Sequence, residues 1–419
     1  MKIPLFVNRM RQRVMLEAAH HNNNRRFAAL SRRVAANTPA RTGAPVIFFD
    51  VSTRLSGTSL NAAFAALSAW SLELKGTRVI HFVCQKGLAP CVFGTKRNSL
   101  HQDPPCRGCV RQSEALFSQS EVVSFEFDAD ALPHGVLEPL SLSELSYFTY
   151  ADLPLGELAL PSMRWILRRH HLTDDELTRS LFRSYIRSAY SLALQFEALV
   201  REAQPQTVVV FNGMQYPEAT ARWVARKHGI RVISHEVGLI PFGAYFTEGD
   251  ATAYDLDIPE DFQLDEVQNQ RLDEYLSKRF KGDFHMAGVR FWPEMSGLNP
   301  EFLQKAAKFK QLVPIFTNVI FDTSQLHANV VFEDMFTWLD SLLDAARVHP
   351  ETLFVIRAHP DEARVGKASE ESVAEWAEAR GVRNIPNLHF IPPQEYVNSY
   401  DLIRMAKFVL IYNSTIGLE

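Results

Sequence analysis

The chain has 419 residues, 46% of them hydrophobic and 22% charged, with a net charge of −4; this is the composition of an ordinary globular protein of two or three domains. That balance argues against nucleic acid as a partner. The four cysteines are too few for a disulfide scaffold and fit a reducing cytoplasm. No apolar run approaches the roughly 18–20 residues of a membrane span, and the start, MKIPLFVNRMRQRV, has no uninterrupted apolar stretch of the kind a secretory signal requires.

Residues 1–44 carry nine Lys or Arg against one acid, Glu17, a local +8 that leaves −12 on the rest. This stretch reads as a basic arm touching the inner face of a membrane, at about 1 kcal/mol per nearby cation, as an Arg-rich, acid-poor start like that of an organelle transit peptide, or as a solvated basic helix. An N-terminal domain is expected over 45–245. Ala44–Val51 is an apolar run closing around Asp50 and predicts a buried parallel strand. Leu60–Leu74 has helical periodicity, Thr77–Cys84 and Glu121–Phe127 predict strands, and Leu142–Ala203 is mostly helical. Gln206–Phe211, Pro217–Lys227 and Arg231–His235 read strand, helix, strand. Residues 246–300 lose the strand signal, are rich in acids and read as connecting helices.

A second alternating set fills 301–419. Strands are expected at Val313–Asn318, Thr352–Ala358, Leu388–Ile391 and Phe408–Tyr412, with helices at Val331–Arg347, Ser369–Arg380 and Ser399–Lys407. Repeated strand–helix alternation argues two open α/β units with parallel sheets and crossover helices. Ligands of such sheets bind outside the carboxyl ends of the strands, so a site in a cleft faced by both units is expected. A doubly wound domain normally continues past Asn413–Glu419, and the C-terminal unit therefore reads as incomplete.

Three strand-end loops of the second unit carry phosphate-compatible groups. In FVIRAHPDE, Phe354–Glu362, Pro360 ends the ladder and holds Ala358 and His359 extended. This aims Arg357 and His359 out of the strand end, where a cation and an imidazole suit a phosphate leaving group. A purely structural His-Pro turn is the alternative. In FVLIYNSTIGLE, Phe408–Glu419, Asn413, Ser414 and Thr415 offer hydroxyls and backbone N–H groups for an anion, or a plain helix cap. Glu419 is placed to accept hydrogen bonds from ribose hydroxyls. In FTNVIFD, Phe316–Asp322, Thr317 and Asn318 open the third loop.

Taken in order, T-N-V-I-F-D, R-A-H-P-D-E, S-Y-D-L and Y-N-S-T-I-G-L-E resemble the bacterial capsular-polysaccharide-type glycosyltransferases. They are also similar to the wider set of Kdo, sialyl and polyol-phosphate transferases of the GT-B superfamily. The block FNGMQYPEATARWVARKHGI, Phe211–Ile230, followed by His235, Glu236, Val237 and Gly238, resembles the strand–helix–strand element of the same families. The matching stretches cover about a third of the chain. The resemblance implies a GT-B fold of two Rossmann-like domains facing a cleft, a nucleotide-sugar donor in the C-terminal domain, a glycan or lipid-linked acceptor in the N-terminal one, and no catalytic cofactor. It implies that His359, Ser414 and Thr415 hold the donor phosphate, that Glu419 meets the nucleotide, and that Glu236 is the catalytic base, although His235 stands where the families often have a second acid. A CDP-polyol phosphotransferase, a UDP-sugar 2-epimerase and a non-catalytic capsule-assembly scaffold are the rival readings.

Cys84, Cys91, Cys106 and Cys109 are the only cysteines and fall within 26 residues, in an insertion spanning 84–110. Their spacing allows a structural zinc site with four thiolate ligands, or four reduced thiols. His20-His21 and His170-His171 lie in basic, helix-like stretches and read as surface residues.

Overall fold

The computed structural model describes residues 5–51, 59–95, 103–240, 242–253, 257–281, 285–286, 289–290, 295–364 and 367–418. The chain divides into two compact units, Met1–Met163 with Thr173–Ala251, and Arg164–Leu172 with Thr252–Glu419.

Unit 1 runs α1 (Leu5–Asn37), β1 (Thr42–Asp50), α2 (Leu60–Leu74), β2 (Thr77–Cys84), α3 (Cys106–Leu116), β3 (Glu121–Phe125), α4 (Leu142–Ser146), α5 (Leu155–Leu167), α6 (Glu176–Ala203), β4 (Thr207–Phe211), α7 (Tyr216–Lys227), β5 (Arg231–Val237) and β6 (Ala244–Thr247). One sheet takes the order β3-β2-β1-β4-β5-β6. Strands β1 to β5 pair in parallel, and β6 runs antiparallel to β5. The last six residues of β1 are buried, as a parallel strand covered on both faces requires. Register is held by aromatic side chains: Phe49 stacks beside Phe82 at 5.7 Å and Phe82 beside Phe125 at 5.0 Å, while Phe196 of α6 meets Phe49 and Phe82 edge-on. Helix α6 begins where the Asp175 side chain accepts from the Thr178 N–H and ends where Gln204 turns left-handed at φ 46°. Between them Phe182, Ile186, Ala189, Ala193, Phe196 and Val200 recur at helical spacing and are buried. Truncating Phe196 to Ala should cost about 3–5 kcal/mol.

The basic N-terminal stretch is one long helix, and it is not a free arm along its whole length. Phe27 and Val34 pack onto Ala62, Ala66, Trp70, Leu116 and Phe117, and Ser31 is 2% exposed.

Unit 2 runs α8 (Glu266–Phe280), the two-residue strands β7 (His285–Met286) and β8 (Val289–Arg290), α9 (Pro300–Ala306), β9 (Gln311–Phe316), α10 (Gln325–Ala328), α11 (Met335–Val348), β10 (Thr352–Arg357), α12 (Val373–Ala379), β11 (Leu388–Ile391), α13 (Ser399–Met405) and β12 (Leu410–Ile411). Its main sheet, β11-β10-β9-β12, is wholly parallel. Alternation sends Val313, Ile315, Phe354 and Ile356 to one face against Met335, Leu339, Leu343 and Trp376. It sends Leu312, Phe316, Leu353 and Val355 to the other, against Phe302 and Leu402. Both faces carry helices, so β10 is buried at every residue. The two α/β units expected from the sequence are thus both present, each Rossmann-like. Residue Glu419, expected at the nucleotide, lies outside the described residues.

Candidate functional site

Each sheet has one point where the chain reverses the direction in which it adds strands, and ligands of open α/β sheets bind at the carboxyl side of that point. In unit 1 the reversal falls between β1 and β4; in unit 2 it falls between β9 and β12.

At the unit 1 edge the central group is Glu236. Asn61, in the first turn of α2, donates from Nδ2 to Oε1 at 2.9 Å; Asn212, just past β4, donates from Nδ2 to Oε2 at 3.0 Å; and the Val237 N–H donates to Oε1 at 2.9 Å. The chain reaches this geometry because Asn212 and Gly213 are both left-handed, at φ 57° and 84°. Asparagine tolerates that conformation by bonding its own backbone, and here Oδ1 accepts from the Met214 N–H. A Cβ on Gly213 would sit 3.2 Å from Ser234 Oγ. Behind this edge Asp50 Oδ2 lies 2.7 Å from His81 Nδ1, both buried, with His81 stacked on Phe117 at 3.8 Å. Burial lowers the His235 pKa to about 4, so this residue, which stands where a second acid was looked for, is a neutral core imidazole between Phe211 and Phe246. Asn61, Asn212 and the Asp50–His81 pair were not singled out as site residues from the sequence. The apolar run closing on Asp50 was the only visible signal.

At the unit 2 edge the three loops do not contribute equally. Asn318 Nδ2 donates to the Asn413 carbonyl at 2.8 Å, directly across the reversal point, and Asn318 Oδ1 accepts from the Val319 N–H. Asn413 is left-handed at φ 51°, and its own Nδ2 is buried without a partner. Ser414 is half-buried and Thr415 exposed; a single 3-10 turn, Thr415–Leu418, follows Ser414 where a helix is expected. Thr317 is 2% exposed and spends its hydroxyl on the Arg357 carbonyl at 3.2 Å. It joins β9 to β10 and does not face a ligand.

Arg357 departs most from expectation. It is 3% exposed, and its Nη1 donates to the Ala358 and Pro392 carbonyls at 2.8 and 3.2 Å. Burial lowers its pKa to about 10. The guanidinium turns back to satisfy carbonyls at the ends of β10 and β11 instead of pointing outward, because those carbonyls are buried and need donors. His359 is half-buried. Its Nδ1 accepts from the Asp361 N–H at 3.1 Å, which leaves the ring proton on Nε2. Burial holds its pKa below the ordinary value. His359 is therefore an oriented neutral donor and not an imidazolium.

None of the four cysteines is in a disulfide. Cys84 accepts from the Gly87 N–H at 3.2 Å, and burial raises its pKa to about 11. Cys106 and Cys109 lie three residues apart on α3. Cys91 and Cys109 lie near enough to Cys84 to push its pKa further up. Among the described residues, a group of three Cys, His, Asp or Glu ligand atoms within 4.8 Å of one another is formed by His170, His171 and Asp334. The surface reading holds for His171, which is exposed, and fails for His170, which is 9% exposed.

No protein-family profile matches the chain, and no curated protein matches it. Among solved structures, the UDP-GlcNAc 2-epimerase of Neisseria meningitidis bound to UDP-GlcNAc is 12% identical, with 88% of this chain and 77% of that chain covered and a TM-score of 0.23. The glycosyltransferase SnogD of Streptomyces nogalater is 11% identical over 88% and 76%, with a TM-score of 0.23. The UDP-GlcNAc 2-epimerase of Methanocaldococcus jannaschii is 10% identical over 88% and 78%, with a TM-score of 0.21. Likeness at this level decides nothing about the chemistry of this chain. No helix among the described residues is long and apolar enough to cross a membrane.

Proposed function

We propose that the chain is a glycosyltransferase of the GT-B type, using a nucleotide-sugar donor, a glycan or lipid-linked acceptor of a surface or capsular polysaccharide, and no catalytic cofactor. The observation that carries this reading is the Asn318–Asn413 bond across the reversal point of unit 2, with Ser414 and Thr415 next in the chain and His359 after the neighbouring strand. Neutral N–H and O–H donors at that place suit the phosphates of a nucleotide. Unit 1, taken by itself, holds a carboxylate suited to act as a base. Glu236 takes the proton of the acceptor hydroxyl as its oxygen bonds to the anomeric carbon. The bond from that carbon to the donor phosphate oxygen breaks, and the oxygen receives hydrogen bonds from His359 Nε2–H, Ser414 and Thr415. Arg357 acts on the backbone of its loop and not on the phosphate.

The test is a thermal-shift screen of the full chain with UDP-, GDP-, CMP-, CDP- and dTDP-sugars at millimolar concentration, followed by nucleotide release with and without a glycan acceptor. One nucleotide class should raise Tm, and release should require acceptor. Donor turnover without any acceptor would replace transfer by epimerisation. The absence of any shift would remove the donor site altogether.

A further inference from the structure

Unit 2 also holds a cluster that the proposed transfer does not use. His170 and His171 lie in the segment Arg164–Leu172, which packs in unit 2. Asp334 caps α11: its Oδ1 accepts from the Phe336 and Thr337 N–H groups at 2.7 and 3.0 Å. That leaves Oδ2 for His171, whose Nε2 lies 3.1 Å away. The other ring nitrogen, Nδ1, lies 3.1 Å from Glu371 Oε1. Glu371 is itself fixed, because its Oε2 accepts from the backbone N–H groups of His170 and His171 at 2.7 and 3.1 Å. The His170 ring stands edge-on to His171 at 4.9 Å between centroids, and one ligand atom from each of His170, His171 and Asp334 falls within 4.8 Å of the other two. Asp334 is 5% exposed.

We propose that His170, His171 and Asp334 form a site for a divalent transition-metal ion of the zinc type, with Glu371 as the group that positions His171. Two imidazoles and one carboxylate are a donor set that zinc accepts, with a fourth position left to water. The surroundings carry the argument further than the donor count does. A metal-bound histidine characteristically gives its second ring nitrogen to a carboxylate, and the ligating carboxylate is itself hydrogen-bonded. His171 has the first arrangement through Glu371, and Asp334 has the second through the start of α11. The two carboxylates also offset the Arg164 guanidinium, whose Nε donates to the His170 carbonyl at 3.0 Å. Without a metal the same groups make a carboxylate–imidazole–carboxylate clamp. The ion takes the place of the proton between Nε2 and Oδ2, and that proton passes to water. A metal held here would tie Arg164–Leu172 to α11 and to Glu371, a structural role.

The experiment titrates the full chain, its cysteines alkylated, with Co(II) and with Zn(II). One equivalent of Co(II) should bind with visible d–d absorption and no thiolate charge-transfer band, and Zn(II) should displace it and raise Tm. Glu371→Gln should weaken binding by about 10–100-fold, the usual cost of losing an outer-shell partner. Asp334→Asn, which can keep the cap hydrogen bonds, should abolish binding of the equivalent while the chain stays folded. Full-strength Co(II) binding in both variants, or no binding by the wild-type chain, overturns the proposal. A lower Tm in the variants with no metal effect in any of them leaves only the clamp.

Discussion

The carboxyl edges of the two sheets differ sharply although the folds beneath them are alike. Unit 1 presents a carboxylate, Glu236, held by two asparagine amides, with a second carboxylate, Asp50, buried behind it against His81. Unit 2 presents neutral groups: asparagine amides joined across the reversal point, hydroxyls, and an imidazole whose proton is directed to Nε2. One edge is built around an acceptor; the other is built of neutral polar groups. A parallel sheet delivers side chains to the same place in both cases, and a handful of strand-end residues decides what that place can do.

The largest test of this contrast is Glu236→Gln. Turnover should fall by about 10²–10⁴-fold, while the thermal shift with nucleotide stays as in the wild type. An equal loss of nucleotide affinity would erase the division of labour between the edges. His359→Ala should lower turnover less, by about 10²–10³-fold, the cost of removing one oriented donor; near-normal transfer would take His359 out of the reaction. Asn318→Ala strands the Asn413 carbonyl at a cost of about 1–3 kcal/mol. It should weaken nucleotide binding roughly tenfold, read by calorimetry, with acceptor KM unchanged.

The smallest effect concerns Glu362, three residues past His359. Its carboxylate is buried, accepts from the Val373 N–H, and has a pKa raised to about 8 by burial against an ordinary 4.5. Between those values the unfolded chain has released a proton that the folded chain keeps, so stability falls as pH rises through that window and levels off above it. Glu362→Gln should flatten this fall in Tm between pH 5 and pH 8. An unchanged slope would mean that another group carries it.

Most of the fold was legible because buried parallel strands are near-continuous apolar runs: Pro45–Phe49, Val79–Val83, Val208–Val210 and Leu353–Ile356 announce themselves. The four-residue β6 does not, being too short to carry a pattern, whereas β12 lies inside the run expected at Phe408–Tyr412. Strand ends could be read, so Asn318, His359 and Asn413 could be picked out as positions. Side-chain direction could not. Arg357 looks like an outward cation until the carbonyls of Ala358 and Pro392 claim it. Asn61 and Glu236 are 175 residues apart, and His171 and Glu371 are 200 apart. No local period relates such partners, and His170 therefore reads as surface.

The chain leaves unit 1 for nine residues, Arg164–Leu172, returns, and enters unit 2 for good only at Thr252. On the ribosome this short piece is made 79 residues before the rest of its unit. The Glu370 N–H to Arg168 carbonyl bond at 2.8 Å and the seat of His171 between Asp334 and Glu371 must therefore wait for later synthesis. A protease cut between Ala251 and Thr252 would not release an independent second half. It would free a fragment lacking its own histidine pair, so unit 2 is a body that neither fragment can complete alone.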